Sequence, residues 1–265
     1  LSNNKELAYL YCRDCPNLTN LDISNCIALD IVNLEKTAIK DLDLSNFTSL
    51  TYLAFGYSSL INLNLNNCTA LTYLNVSCLP IATLTNLNLK NCIALSYLSC
   101  SKTEITNLDL SDCKALTHLG LSYNNALKKL DLSNCTILSN LYFRENNTIT
   151  NLDLSYCTVL DSLTFYSTLL TNLDVSNHNA LFYLACQDND SLINLDLSNC
   201  NALSSLYISY NPSLINLDLS NFTSLTTLEC WHNTSLISLN LSNCTALPIV
   251  YGFNSNSALT SLNLS

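Results

Sequence analysis

The chain has 265 residues and a formal net charge of -10 at pH 7, with Gly 3, Pro 4 and Met 0. So few glycines and prolines exclude a mosaic of ordinary tight turns and leave Asn, Asp and Ser to make the bends, which suits a regular coil of short strands. The acidic balance argues against a nucleic-acid partner, because phosphate binding needs clustered Lys and Arg, and polar residues interrupt every apolar run well short of a membrane span.

One template recurs from end to end. Leu18-Thr-Asn-Leu-Asp-Ile-Ser-Asn-Cys26, Ile105-Thr-Asn-Leu-Asp-Leu-Ser-Asp-Cys113 and Leu192-Ile-Asn-Leu-Asp-Leu-Ser-Asn-Cys200 are apolar at places one, four and six, with Cys at place nine. These segments are termed arc A. A second segment of the same apolar spacing, such as Leu116-Thr-His-Leu-Gly-Leu-Ser-Tyr-Asn124, lies between successive copies and is termed arc B. Arc B begins at Leu7, Leu29, Leu50, Leu71, Leu95, Leu116, Leu138, Leu160, Leu181, Leu203, Leu225 and Leu247, which divides the chain into 12 units of 21 to 24 residues.

In each arc, places four to six alternate with period two and predict a very short strand, with places three, five and seven facing solvent. Two strands and two turns make one rung. The B-to-A return is too short for three helical turns. The expected fold is therefore an all-β solenoid with two parallel sheets, nearly straight because the arcs are equal in length, with a local bulge in the longer arc from Leu71 to Leu84. It reads as one solenoid over residues 1–265, with no recognisable caps, as part of a longer chain.

Leu-x-x-Leu-x-(Leu or Cys)-x-x-Asn-x-Leu followed by x-x-Leu-Asp-Leu resembles the 21-residue IRREKO subclass of bacterial leucine-rich repeats, the internalin J type. The likeness covers nearly all of residues 7 to 265. It implies a leucine-rich-repeat fold with arc B as the concave sheet, and a secreted or surface-attached bacterial module for adhesion and recognition. The match is incomplete: place nine of arc B is Asn only at Asn124, Asn146, Asn189, Asn211 and Asn233.

The 14 cysteines invite a disulfide or zinc reading. Their register argues for free thiols in the core. Cys26, Cys68, Cys92, Cys113, Cys135, Cys157, Cys200 and Cys244 share place nine of arc A, where Phe47 and Phe222 also occur; Cys12, Cys100, Cys186 and Cys230 share the inward place six of arc B. Cys78 lies off both columns and is the expected exposed thiol. Cys12-Arg-Asp-Cys15 has metal-pair spacing but no second pair. His118, His178 and His232 fall in distant rungs, so neither a catalytic group nor a metal site is expected, and no cofactor. The recurring Asp at place five of arc A, from Asp22 to Asp218, supplies too few oxygens per rung for calcium and is read as a solvated face.

The two outward faces differ. Arc A repeats Asn, Asp and Ser and looks like scaffold. Arc B carries Tyr9, Tyr11, Tyr52, Tyr73, Tyr97, His118, Tyr142, Tyr166, Tyr183, Tyr207, Trp231 and Tyr251 at outward places, followed by Phe253. Rigidly held aromatics bury much area at low entropic cost, which marks arc B as the expected contact face for a protein or glycan. The competing reading is that Tyr simply suits exposed strand positions and stacks along the sheet. Charge is also uneven: residues 1 to 144 hold all 10 Lys and Arg against 11 acidic residues, whereas residues 145 to 265 hold 9 acidic residues and no Lys or Arg. That gradient is either drift among solvated positions or a cue for a cationic partner or for end-to-end self-association into filaments.

Overall fold

The computed structural model describes residues 4–78, 83–220, 222–248 and 252–265. The chain divides into two compact units, Leu1–Ile137 and Leu138–Ser265. Both are parallel β-solenoids, and among the described residues there is no helix. The longer arc runs through residues 79–82, so the expected bulge lies outside the described residues.

In the first unit the strands are β1 (Tyr9–Tyr11), β2 (Ile31–Asn33), β3 (Asp41–Asp43), β4 (Tyr52–Ala54), β5 (Asn62–Asn64), β6 (Tyr73–Asn75), β7 (Asn86–Asn88), β8 (Tyr97–Ser99) and β9 (His118–Ser122). The arc B strands form the order β1-β2-β4-β6-β8-β9, and the arc A strands the order β3-β5-β7. In the second unit they are β10 (Asn140–Arg144), β11 (Ser162–Tyr166), β12 (Asn172–Asp174), β13 (Tyr183–Gln187), β14 (Asn194–Asp196), β15 (Ser205–Tyr207), β16 (Asn216–Asp218), β17 (Thr227–Glu229), β18 (Ser238–Asn240) and β19 (Ser261–Asn263). Here arc B runs β10-β11-β13-β15-β17, and arc A gives β12-β14 and β16-β18-β19. Pairing follows the repeat: Tyr9 faces Ile31, Tyr52 faces Tyr73, and Tyr73 faces Tyr97. The arc B strand of the twelfth unit falls on residues 249–251, outside the described residues.

The inward Leu columns, such as Leu53, Leu74, Leu98 and Leu163, Leu184, Leu206, are buried. At place six a second column mixes Phe55, Phe143 and Phe165 with aliphatic residues and thiols, and Phe143 and Phe165 stack at 5.9 Å between ring centroids. All 14 cysteines are free thiols. In the place-nine column, Cys68, Cys92, Cys200 and Cys244 donate Sγ–H to the carbonyls of Leu44, Leu65, Val175 and Leu219 one rung back, at 3.2, 3.3, 3.1 and 3.0 Å. A thiol there fills apolar space and satisfies a turn carbonyl at once. His178 takes that place in one rung, buried, with Nδ1 and Nε2 lying 3.0 and 3.2 Å from the Val175 and Leu154 carbonyls.

Cys78 is a correction: it is 1% exposed and donates to the Val76 carbonyl at 3.3 Å. Most place-eight residues of arc B, among them Asp14, Lys36, Tyr57, Lys102 and Tyr123, have a left-handed φ that turns the side chain out; Cys78 does not. Without that left-handed turn the period-two alternation continues, and the Cys78 side chain points inward like place six. The exposed thiol is Cys15, while Cys12 is partly exposed rather than buried.

Turns are closed by side chains. The place-five carboxylates of arc A are exposed as expected, but they are not idle. Asp43, Asp109, Asp131, Asp153, Asp174, Asp196 and Asp218 each accept the N–H of the Ser two residues on through Oδ1, at 2.8 to 3.0 Å. Asn64 and Asn240 accept the N–H of Asn66 and of Ser242 in the same way, at 3.2 and 3.1 Å. These are Asx turns, which need one carbonyl-type oxygen and so accept either residue. The bond holds the carboxyl of Asp43 and of Asp109 below its ordinary range.

In the second unit, place nine of arc B adds a buried asparagine ladder. Asn211 Nδ2 donates to the carbonyls of Cys186 and Ser209, and its Oδ1 accepts the Asn189 N–H at 3.1 Å. Asn233 repeats this on Ile208 and Asn211, and Asn256 on Cys230 and Asn233. Asn256 extends the ladder one residue beyond the expected place, because its own arc, which begins at Leu247, carries an extra residue.

Candidate functional site

Arc B presents its aromatics differently along the molecule. In the first unit Tyr52, Tyr73, Tyr97 and His118 share place three, so the parallel register sets each ring above the next. Tyr52 and Tyr73 stack with centroids 4.5 Å apart and planes 5° from parallel; Tyr73 and Tyr97 follow at 4.6 Å and 7°. These distances nearly equal the strand spacing of about 4.8 Å, so upright rings meet face to face without strain. His118 continues the row, tilted 32° from Tyr97 at 6.1 Å, with Nδ1 2.9 Å from the Thr117 hydroxyl. Burial in the stack pushes the Tyr73 phenol up to about 12, with Tyr97 and Tyr52 adding to it. Beside this ridge the outward places hold small side chains: Ala54 and Gly56 are buried, and Asn75, Ser77, Ser99 and Gly120 are half-buried.

Tyr9 and Tyr11 on β1 are 58% and 62% exposed and stack on no ring. Between Tyr11 and Tyr52, where Ile31 interrupts the row, lies an open pocket of about 300 Å³ lined by Tyr11, Arg13, Ile31, Asn33 and Tyr52. Arg13 pairs with Glu35 at 3.0 Å and Lys36 with Asp14 at 2.6 Å, so two ion pairs cross between the first two turns at its rim.

In the second unit the aromatics occupy different places and cannot form one ridge. Tyr142 is exposed at place five; Tyr166 at place seven lies under the Arg144 guanidinium at 5.6 Å. Burial pushes Tyr166 up to about 12, helped by Tyr183 and Tyr142. Tyr183 and Tyr207 meet at 5.6 Å and 42°. Tyr210 and His232, left-handed turn residues absent from the expected set, stack at 4.6 Å and 10°, with Trp231 tilted against both. The signal that finds them is the place-eight φ: it turns outward a side chain that strict alternation points inward. Tyr251 lies outside the described residues, and Phe253 is half-buried.

Arc A also opens two clefts, where residues 107–109, 129–131 and 151–153 are not strand. One holds about 180 Å³ beside Asp109 and Asp131, the other about 340 Å³ beside Asp153, Asp174 and His178. Their carboxylates are engaged by the Asx turns and their walls repeat the same residues, so they offer little selectivity. Among the described residues no group of three or more His, Cys, Asp or Glu is placed to hold a metal ion, and no helix is long and apolar enough to cross a membrane.

Helix-free among the described residues, with two arcs per turn, Leu columns inside and a cysteine ladder interrupted only by Phe47, His178 and Phe222, the chain has a leucine-rich-repeat fold similar to that of bacterial internalin-like proteins. The functional domain of InlJ from Listeria monocytogenes, itself described as including a cysteine ladder, superposes with a TM-score of 0.78 and 29% identity over 94% of this chain. The chain spans 56% of that structure's length. The internalin InlF from the same species superposes at 0.57 and 19% identity, over 98% of this chain and 88% of that one, and shares the fold. TLR13, in a complex with ssRNA13, shares it at 0.54 and 18%, over 98% and 42%. No protein-family model matches the sequence, and no curated protein matches it.

Proposed function

We propose that this chain is a non-enzymatic binding and adhesion module displayed outside a bacterial cell, with the arc B face as its contact surface for a protein or glycan. The observation that supports this is the division of labour between the faces. Arc A's repeated Asp and Asn side chains are committed to closing their own turns, whereas arc B holds a varied set of partly exposed aromatics on rigid strands. Such side chains lose little conformational freedom on binding and offer both apolar area and a polar tip. The cell-surface location rests on the likeness to internalins; protease shaving of intact cells of the source organism, followed by peptide identification, checks it.

The binding reading is tested by probing an array of glycans and extracellular proteins with the chain, then with variants. Tyr73→Ala, Tyr97→Ala and Trp231→Ala together should abolish the interaction. Asp109→Ala, Asp131→Ala and Asp153→Ala should leave it intact. Equal losses from both sets would show that the aromatic face is ordinary surface.

A further inference from the structure

A stack of rings hides the faces it is built from. Both faces of Tyr73 are taken by Tyr52 and Tyr97, so along the ridge a partner meets mainly ring edges and hydroxyls. The end of the stack is different. Toward β2 the row continues with Ile31, which is shorter than a phenol ring, and among the described residues no ring stacks on that side of Tyr52. The pocket of about 300 Å³ opens against this face, with Ile31 as an apolar floor and Tyr11 as the opposite wall.

The polar rim is built rather than incidental. Glu35 Oε2 holds the Arg13 guanidinium at 3.0 Å, and the Glu35 side chain is about one-fifth exposed. Its other oxygen, Oε1, rests on Gly56: a Cβ there would come within 3.3 Å of it. Gly56 is one of three glycines in the chain and has no left-handed φ, so its use here is space for this carboxylate. The main-chain N–H of Glu35 is fixed by Asn33 Oδ1 at 3.1 Å. Burial raises the Tyr52 phenol above its ordinary value and the Glu35 carboxylate adds to it, in keeping with that carboxylate facing the stack.

We infer that the pocket bounded by Tyr11, Arg13, Ile31, Asn33 and Tyr52 is a subsite for one neutral pyranose ring of a glycan chain, stacked by its C–H face on the open face of Tyr52. This rests on arc B being the binding face. The chemistry selects the ligand in three ways. An exposed aromatic face above an apolar floor matches the flat, apolar side of a sugar ring. A guanidinium and a carboxylate 3.0 Å apart present donors and acceptors side by side with no net charge, as adjacent sugar hydroxyls require. A charged ligand would be opposed by one half of the pair, and by Asp14 or Lys36 beyond it. The volume lies at the small end of the range for small-molecule sites, about 300–1,000 Å³, and the pocket is open, which leaves the ring free to belong to a longer chain.

Saturation-transfer NMR on the whole chain, with methyl glycosides and short linear oligosaccharides of glucose, galactose, mannose and N-acetylglucosamine, tests this. At least one sugar should receive saturation on the protons of one ring face. Tyr52→Ala should weaken its binding on the order of tenfold, Tyr52→Phe should retain it because the stacking face remains, and Glu35→Gln should weaken it. Asp131→Ala, on arc A, should have no effect, and thermal melts of each variant report folding separately. The inference is overturned if no sugar in the panel binds, if binding survives Tyr52→Ala, or if extended Pro- or Trp-containing peptides occupy the pocket in a Tyr52-dependent way while the sugars do not. Array binding that is lost with Tyr73, Tyr97 and Trp231 but indifferent to Tyr52 and Glu35 would sink the subsite and leave the face reading standing.

Discussion

The stretch from Tyr52 to His118 and the stretch from Tyr142 to His232 use one repeat and one sheet geometry, yet they display aromatics in opposite ways. In the first, a shared place turns the rings into a closed stack whose faces are spent on each other. In the second, scattered places leave tilted pairs and a Tyr210–Trp231–His232 cluster with faces available. A solenoid makes this choice through register alone, because residues one repeat apart sit about 4.8 Å apart whatever their identity. The turns differ as well. Buried Asn seals place nine from Asn124 through most of the second unit, whereas earlier in the first unit Ser58 lies at that place with a buried hydroxyl that has no partner among the described residues.

The largest expected effect comes from alkali. Burial pushes five thiols of the first unit up to about 11 or 12, those of Cys68, Cys92, Cys100, Cys113 and Cys135. In the second unit it does so for Cys186, Cys200 and Cys230. A thiol whose folded value exceeds its unfolded value of 9.0 stabilises the fold fully below pH 9. That contribution is lost between about pH 9 and 12, because the unfolded chain ionises first. Stability should fall steeply there, and hydrogen exchange followed by unit should show the first unit opening earlier. Below pH 9 the same burial keeps the thiols unreactive, so a thiol reagent should label Cys15 first, the partly exposed Cys12 and Cys244 next, and the buried column cysteines only after denaturation. Early labelling of Cys78 would contradict its burial.

Next in size, Asn211→Ala removes a side chain that serves two carbonyls and one N–H in a fully buried turn. Its cost should be about 3 kcal/mol, seen in urea melts. Ser58→Ala in the first unit should be neutral or slightly stabilising, since its buried hydroxyl has no partner to lose among the described residues. Equal costs would erase the contrast between the two kinds of turn.

Stacking gives a smaller difference. Tyr73→Ala breaks two near-parallel contacts and Tyr183→Ala one tilted contact. The first should be the more destabilising, by about 1 kcal/mol. Smallest of all, Asp109→Asn keeps the oxygen that accepts the Ser111 N–H at 3.0 Å and should leave stability near unchanged, whereas Asp109→Ala should cost about 0.5 to 1 kcal/mol. The carboxylate itself matters only in acid. Its folded value is depressed, so its contribution is present above its unfolded value of 3.8 and lost as pH falls through the folded one; in Asp109→Asn that acid dependence should diminish.

Much of the molecule could be read before any coordinates. Period-two alternation, the spacing of Leu and the shared place of the cysteines determine two strands per rung, their parallel register and the buried columns, because in a solenoid each residue's neighbours are its counterparts one repeat away. The outward placing of Tyr52, Tyr73 and Tyr97 follows from the same rule. Only the tertiary structure decided what depends on side-chain direction and local φ. The backbone at Cys78 takes no left-handed turn and buries a thiol that lies off both columns. The left-handed turns at Tyr210 and His232 present rings that strict alternation would point inward. The pocket, finally, needs Tyr11, Ile31 and Tyr52 from three successive turns, with Gly56 leaving room for the carboxylate that holds Arg13. Such a constellation has no periodicity to betray it, since it arises where the repeat is broken.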